Sequence, residues 1–150
     1  DRDVEPRPIE PPRPAPIEQG GLALVVDDEP MIREAAKAIL LSLGLRVITA
    51  EDGLEAILRV REQREALSIV LMDLTMPKMG GREALVEIRK LAPTLPVVLC
   101  SGYSEEQALE TIGGELSPVE FLQKPYCLGE LSRVVRRVLR NGPHGTFAVL

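Results

Sequence analysis

A short apolar run, a turn rich in capping residues and a stretch of apolar residues at helical spacing recur along this chain. Leu22-Ala23-Leu24-Val25-Val26, Ile69-Val70-Leu71-Met72 and Pro96-Val97-Val98-Leu99-Cys100 contain no polar residue at all. A strand is apolar on both faces only where both faces are covered, as in a parallel sheet between helical layers. Val47-Ile48-Thr49 and Val119-Glu120-Phe121-Leu122 are weaker runs of the same kind. Between the runs, Ile32, Ala36, Ile39 and Leu43 follow Pro30 at helical spacing and stop at Gly44. Leu54, Ile57, Leu58 and Arg61 belong to a second helix that opens at Asp52, and Ala84, Leu85, Ile88 and Leu91 to a third that ends before Pro93. A fourth is capped by Ser104 and closed by Gly113-Gly114; Leu131, Val134, Val135, Val138 and Leu139 line one face of a fifth. Strand and helix alternating five times predict an α/β domain, a (βα)5 three-layer sandwich around a five-stranded parallel sheet with right-handed crossovers.

The length of 150 residues fits one domain, here expected over 21–140. Apolar residues make up 45% and aromatics only 3%, so Leu, Ile, Val, Ala and Met must build the core. Residues 1–20 carry Pro8, Pro11, Pro12, Pro14 and Pro16 and read as a linker or tail. Such a spacer is expected to tether the domain to something upstream, making the chain a fragment; residues 141–150 read as a C-terminal tail. The net charge of −5 argues against a nucleic-acid partner. No apolar run approaches the roughly 20 residues that span a bilayer, so no membrane contact is expected of this domain. The acidic, Pro-rich start is unlike a signal peptide. Cys100 and Cys127 make no disulfide framework, which points to a reduced, cytoplasmic location. The single histidine, His144, lies in the tail, leaving none for a His-rich metal centre or a Ser-His-Asp triad in the body of the chain. Any chemistry there must use carboxylates, hydroxyls, lysine and backbone.

In an open parallel sheet, ligands bind beyond the carboxyl ends of the strands. The first run ends in Asp27-Asp28-Glu29, the third in Asp73, the fourth in Ser101-Gly102 and the fifth in Lys124-Pro125. Each has an ordinary reading alone: Asp27 or Asp28 as a helix cap, Asp73 as a loop carboxylate, Ser101 as a small capping residue, Lys124 as a solvated cation. Their coincidence at one sheet edge is what singles them out. Carboxylates crowded together repel, and a hard divalent cation relieves that repulsion. A carboxylate can attack phosphorus and form an aspartyl phosphate, and phosphoryl transfer asks mainly for positioning and neutralised charge. Lys124, Ser101 and backbone N–H groups are suited to that.

Val25 to Glu29, Met72 to Gly81, Ser101-Gly102-Tyr103 and Phe121 to Tyr126 together resemble response-regulator receiver domains of the CheY-like family, over about residues 22–140. The resemblance implies a flavodoxin-like sheet of order 2-1-3-4-5, with Asp73 as phospho-acceptor from a phosphohistidine. It implies Mg²⁺ (with Mn²⁺ or Ca²⁺ able to substitute) held by Asp27, Asp28, Asp73 and the backbone carbonyl of Thr75. Thr75, Ser101, Gly102 and Lys124 would surround the phosphoryl group, and the Lys124–Pro125 bond is often cis in this family. Ser101 and Phe121 would move together and alter the surface made by the fourth helix, fifth strand and fifth helix, a candidate homodimer face. The implied partners are a histidine kinase or a histidine phosphotransfer domain. The domain would catalyse its own phosphorylation and slow hydrolysis, without being a multiple-turnover enzyme. Leu99 to Tyr103 and Phe121 to Tyr126 resemble receivers at the C-terminal end of hybrid sensor histidine kinases; a stand-alone single-domain regulator is the alternative parent.

Three rivals share parts of this pattern. A flavodoxin-like cofactor binder needs a Gly/Ser/Thr-rich first loop, where this chain has Asp27-Asp28-Glu29. An Asp-nucleophile phosphohydrolase would keep a second acid two residues after the nucleophile, where Thr75 stands. A pure adaptor would neither bind Mg²⁺ nor take up phosphoryl groups. Arg133, Arg136, Arg137 and Arg140 lie opposite the apolar face of the fifth helix and read as a solvated face, with an acidic partner or a dimer contact as the alternative.

Overall fold

The computed structural model describes residues 21–76, 78–112 and 119–141. The Pro-rich leader, Gly113-Gly114 and the tail with His144 lie outside the described residues. In chain order the elements are β1 (Leu22–Val26), α1 (Pro30–Ser42), β2 (Arg46–Ala50), α2 (Gly53–Gln63) and β3 (Leu67–Asp73). There follow α3 (Gly81–Leu91), β4 (Val97–Ser101), α4 (Glu105–Ile112), β5 (Val119–Gln123) and α5 (Leu128–Asn141). All strand pairs are parallel, and the order is β2-β1-β3-β4-β5, as the resemblance implies.

The all-apolar runs become the three inner strands, and alternate residues feed two separate cores. Leu24, Val26, Val70, Met72, Val97 and Leu99 face Ala56 and Val60 of α2, Ala84, Leu85 and Ile88 of α3, and Ala108 of α4. Ala23, Val25, Ile69, Leu71, Val98 and Cys100 face Ala36 and Leu40 of α1 and Leu131, Val134, Val135 and Val138 of α5. Each large side chain so buried contributes about 2 kcal/mol, which fixes strand register as well as layer order.

Local signals set the element ends. Asp52 caps α2 by accepting from Glu55 N at 2.9 Å. Ser104 Oγ accepts from Gln107 N at 3.2 Å while Gln107 Oε1 accepts from Ser104 N at 3.0 Å, a reciprocal cap on α4. Gly44, at φ 93°, takes the left-handed conformation that ends α1 and turns the chain into β2. Leu54, Ile57, Leu58 and Arg61 do belong to α2, and the structure adds which face is buried. The buried face of α2 is Gly53, Ala56 and Val60, with Leu54 and Leu58 about half exposed. Small residues face inward there because the α3 side approaches closely: a Cβ on Gly53 would stand 2.6 Å from the Met79 carbonyl oxygen. The N-cap of α1 is Glu29, so capping is not what occupies Asp27 and Asp28. Among the described residues no helix is long and apolar enough to cross a membrane.

Candidate functional site

Because every strand is parallel, the ends of β1, β3, β4 and β5 open on one edge of the sheet. Asp27 follows β1, and Asp73 is the last residue of β3. Asp27, Asp28 and Asp73 each offer a carboxylate oxygen within 4.8 Å of the others. Asp27 and Asp73 are only 4% and 6% exposed, so neither charge can be left to water. Lys124, just past β5, supplies the compensation: its Nζ donates to Asp27 Oδ2 at 3.0 Å and lies 3.4 Å from Asp73 Oδ2. Burial raises the Asp73 carboxyl to about 6, with the Asp27 charge adding to the rise and Lys124 and the Thr75 N–H opposing it. Burial disfavours the Lys124 ammonium, but its hydrogen bond to Asp27 and the two carboxylate charges outweigh burial and hold it above the ordinary lysine value.

Asp27 is bonded at all four of its polar atoms. Its N–H donates to Ala50 O at 3.2 Å, and Oδ1 accepts from Glu29 N at 2.9 Å. Lys124 occupies Oδ2, and its carbonyl oxygen accepts from Arg33 Nη1 at 2.7 Å. Asp73 is held by Thr75 N, which donates to its Oδ1 at 3.3 Å. Close packing fixes its backbone, since a Cβ on Gly81 would stand 2.7 Å from Asp73 O and from Leu74 Cα. Asp28 is the most exposed of the three acids.

The β4 side is looser. Ser101 is buried, and its Oγ accepts from Tyr103 N at 2.9 Å. Gly102 is exposed, and a Cβ there would meet nothing within 4 Å. Ser101 and half-buried Phe121 both line a cavity of about 120 Å³ between β4, α4 and β5, with Leu99, Tyr103, Ala108 and Leu122. The Lys124–Pro125 peptide is cis, as the resemblance implies. Asp27, Asp28, Asp73 and Lys124 thus form one cluster, Thr75 joins through its backbone, and Ser101, Gly102 and Phe121 stand on the adjoining strands. On α5, Arg137 pairs with Glu120 of the same chain at 2.7 Å. Sequence reasoning missed Arg33; its signal is a cation near the N-terminal end of a helix, where the macrodipole opposes it.

The response regulator receiver domain model matches residues 23–136. This chain belongs to that family. The receiver is 32% identical over 118 residues to the sensor kinase CckA of Brucella abortus (strain 2308), covering 79% of this chain and 12% of that protein. It is 34% identical over 121 residues to the probable transcriptional regulatory protein TcrX of Mycobacterium tuberculosis (strain ATCC 25618 / H37Rv), covering 79% of this chain and 49% of that protein. The chain therefore spans half or less of these relatives. Among solved structures, the CheX–CheY–BeF3–Mg complex from Borrelia burgdorferi aligns with a TM-score of 0.73 at 28% identity, covering 79% of this chain and 88% of that one. Receiver domains bind Mg²⁺ at an acidic pocket, and the donor set here fits that ion. Three carboxylates supply hard oxygens, and the charge of one is disfavoured by burial and by its acidic neighbour until a cation offsets it.

Proposed function

We propose that this receiver takes a phosphoryl group from a phosphohistidine onto Asp73, with Mg²⁺ held by Asp27, Asp28, Asp73 and the Thr75 carbonyl. The observation that supports this most is the gathering of two buried carboxylates, a third at the rim and the Lys124 ammonium at one sheet edge. An Asp73 carboxylate oxygen attacks phosphorus. A P–O bond forms as the P–N bond to the donor imidazole breaks, and the imidazole nitrogen leaves with that electron pair and takes a proton. Mg²⁺ in this site supplies positive charge for the oxygens of the transferring group. Mn²⁺ or Ca²⁺ would substitute on the same oxygen donors. Lys124, already 3.4 Å from Asp73 Oδ2, exchanges part of its contact with Asp27 for a phosphoryl oxygen. Ser101 Oγ accepts from Tyr103 N, which leaves its own proton for another phosphoryl oxygen. Gly102, which stands in open space beside Ser101, would border the phosphoryl group.

Ser101 moving towards the phosphoryl group and Phe121 turning inward would reshape the face made by α4, β5 and α5, for a downstream partner or a second copy of the chain. The cavity that both residues line supports this reading. The donor would be a histidine kinase or a histidine phosphotransfer domain in the cytoplasm. We place the receiver at the C-terminal end of a hybrid kinase, a reading supported by the likeness to the Brucella sensor kinase and by the Leu99–Tyr103 and Phe121–Tyr126 stretches. The alternative is a stand-alone regulator.

The test is intact mass after incubation with acetyl phosphate, with and without Mg²⁺, on parent and Asp73→Asn protein. The expected result is a Mg²⁺-dependent gain of one phosphoryl group by the parent alone. An equal gain by Asp73→Asn would overturn the assignment of Asp73.

A further inference from the structure

We propose that Arg33 is a positioning residue for the metal site, acting through the Asp27–Asp28 peptide. This rests on the Mg²⁺ reading given above.

Arg33 is the fourth residue of α1 and closes its first turn, close to the positive end of that helix's macrodipole. The first turn of α1 has no acidic residue, and Glu29 makes no side-chain cap. A guanidinium there works against the helix and adds a positive charge beside a cation site. The guanidinium reaches the acidic loop through a 2.7 Å hydrogen bond from Nη1 to the Asp27 carbonyl oxygen, and the residue is half buried. A charge-assisted bond of that length is a strong one.

The bond acts on Asp28 as well as Asp27. The peptide unit is planar, so fixing the Asp27 carbonyl oxygen fixes the plane that leads into Asp28. Among the described residues no hydrogen bond or ion pair holds the Asp28 carboxylate, whereas Asp27 also has Ala50, Glu29 and Lys124. The orientation of Asp28 is therefore set by the backbone that Arg33 pins. Removing such a partner typically weakens metal binding 10- to 100-fold in other sites.

The experiment is Mg²⁺ titration by calorimetry on the parent, Arg33→Met and Arg33→Lys, with thermal unfolding without Mg²⁺ as the check on folding. Arg33→Met is expected to raise the Mg²⁺ Kd about 10-fold. Arg33→Lys keeps a donor and loses less. Unchanged or tighter binding by Arg33→Met would overturn the proposal, because tighter binding is what losing a merely repulsive charge would give. Equal losses in the two variants would overturn it too, and if Arg33→Met folds poorly Arg33→Ala takes its place in the same comparison. No Mg²⁺ binding by the parent would overturn the reading of the site itself, and this inference with it.

Discussion

Asp27 and Ser101 stand at the ends of two strands of one sheet, yet their surroundings are built differently. Asp27 has a partner on every polar atom, and the backbone of its neighbour Asp73 is pressed against Gly81 so closely that no side chain fits. Ser101 borders a cavity of about 120 Å³, and Gly102 beside it has open space where a Cβ would be. Packed interiors resist displacement, whereas a side chain next to a void can change rotamer without moving its neighbours. The packed side suits the carboxylates of the proposed acceptor site, and the open side suits the movement proposed for Ser101 and Phe121.

Four substitutions probe this contrast, the largest expected effect first. Lys124→Ala strands two buried carboxylates and should cost about 3 kcal/mol in the metal-free protein. Mg²⁺ should restore most of that, so urea unfolding with and without the ion is the check. A loss of equal size in both conditions would break the view of Lys124 as charge compensation. Gly81→Ala forces a methyl group against the Asp73 carbonyl and should cost about 2–3 kcal/mol.

Asp73→Asn should stabilise the metal-free protein at pH 7 by about 2–3 kcal/mol. The sign follows from Asp73 holding its proton more tightly when folded, at about 6, than at the ordinary 3.8. The contribution of Asp73 to parent stability is then greatest below 3.8, falls as pH rises to about 6 and is flat above, and the Asn variant lacks that fall. Parallel stability–pH curves for the two proteins would contradict it. Gly102→Ala should change stability by no more than about 0.5 kcal/mol. If Gly81→Ala and Gly102→Ala proved equally costly, the two sides would not differ in the way described.

The layer order and most of the site could be read from sequence because both depend on strongly patterned features. Apolar runs without alternation require cover on both faces, and parallel strands bring their C-terminal ends together, so Asp27, Asp73, Ser101 and Lys124 had to share an edge. The strand order came from the family resemblance, since periodicity does not encode it. What sequence did not reveal depends on tertiary approach. Leu54 and Leu58 belong to α2 but point outward, because Gly53, Ala56 and Val60 let α2 pack against the chain around Met79. The Arg33 bond to Asp27 joins a helix side chain to a loop carbonyl six residues earlier, a contact that no periodicity marks. The Lys124–Asp27 bond spans 97 residues and was legible only as two strand ends meeting.

In the proposed reaction Asp73 carries the phosphoryl group. Its most direct test is reductive trapping with borohydride after incubation with acetyl phosphate and Mg²⁺, which converts a phosphorylated aspartate to homoserine, followed by peptide sequencing. Homoserine is expected at position 73 alone. Homoserine at position 27 or 28, with none at 73, would contradict it.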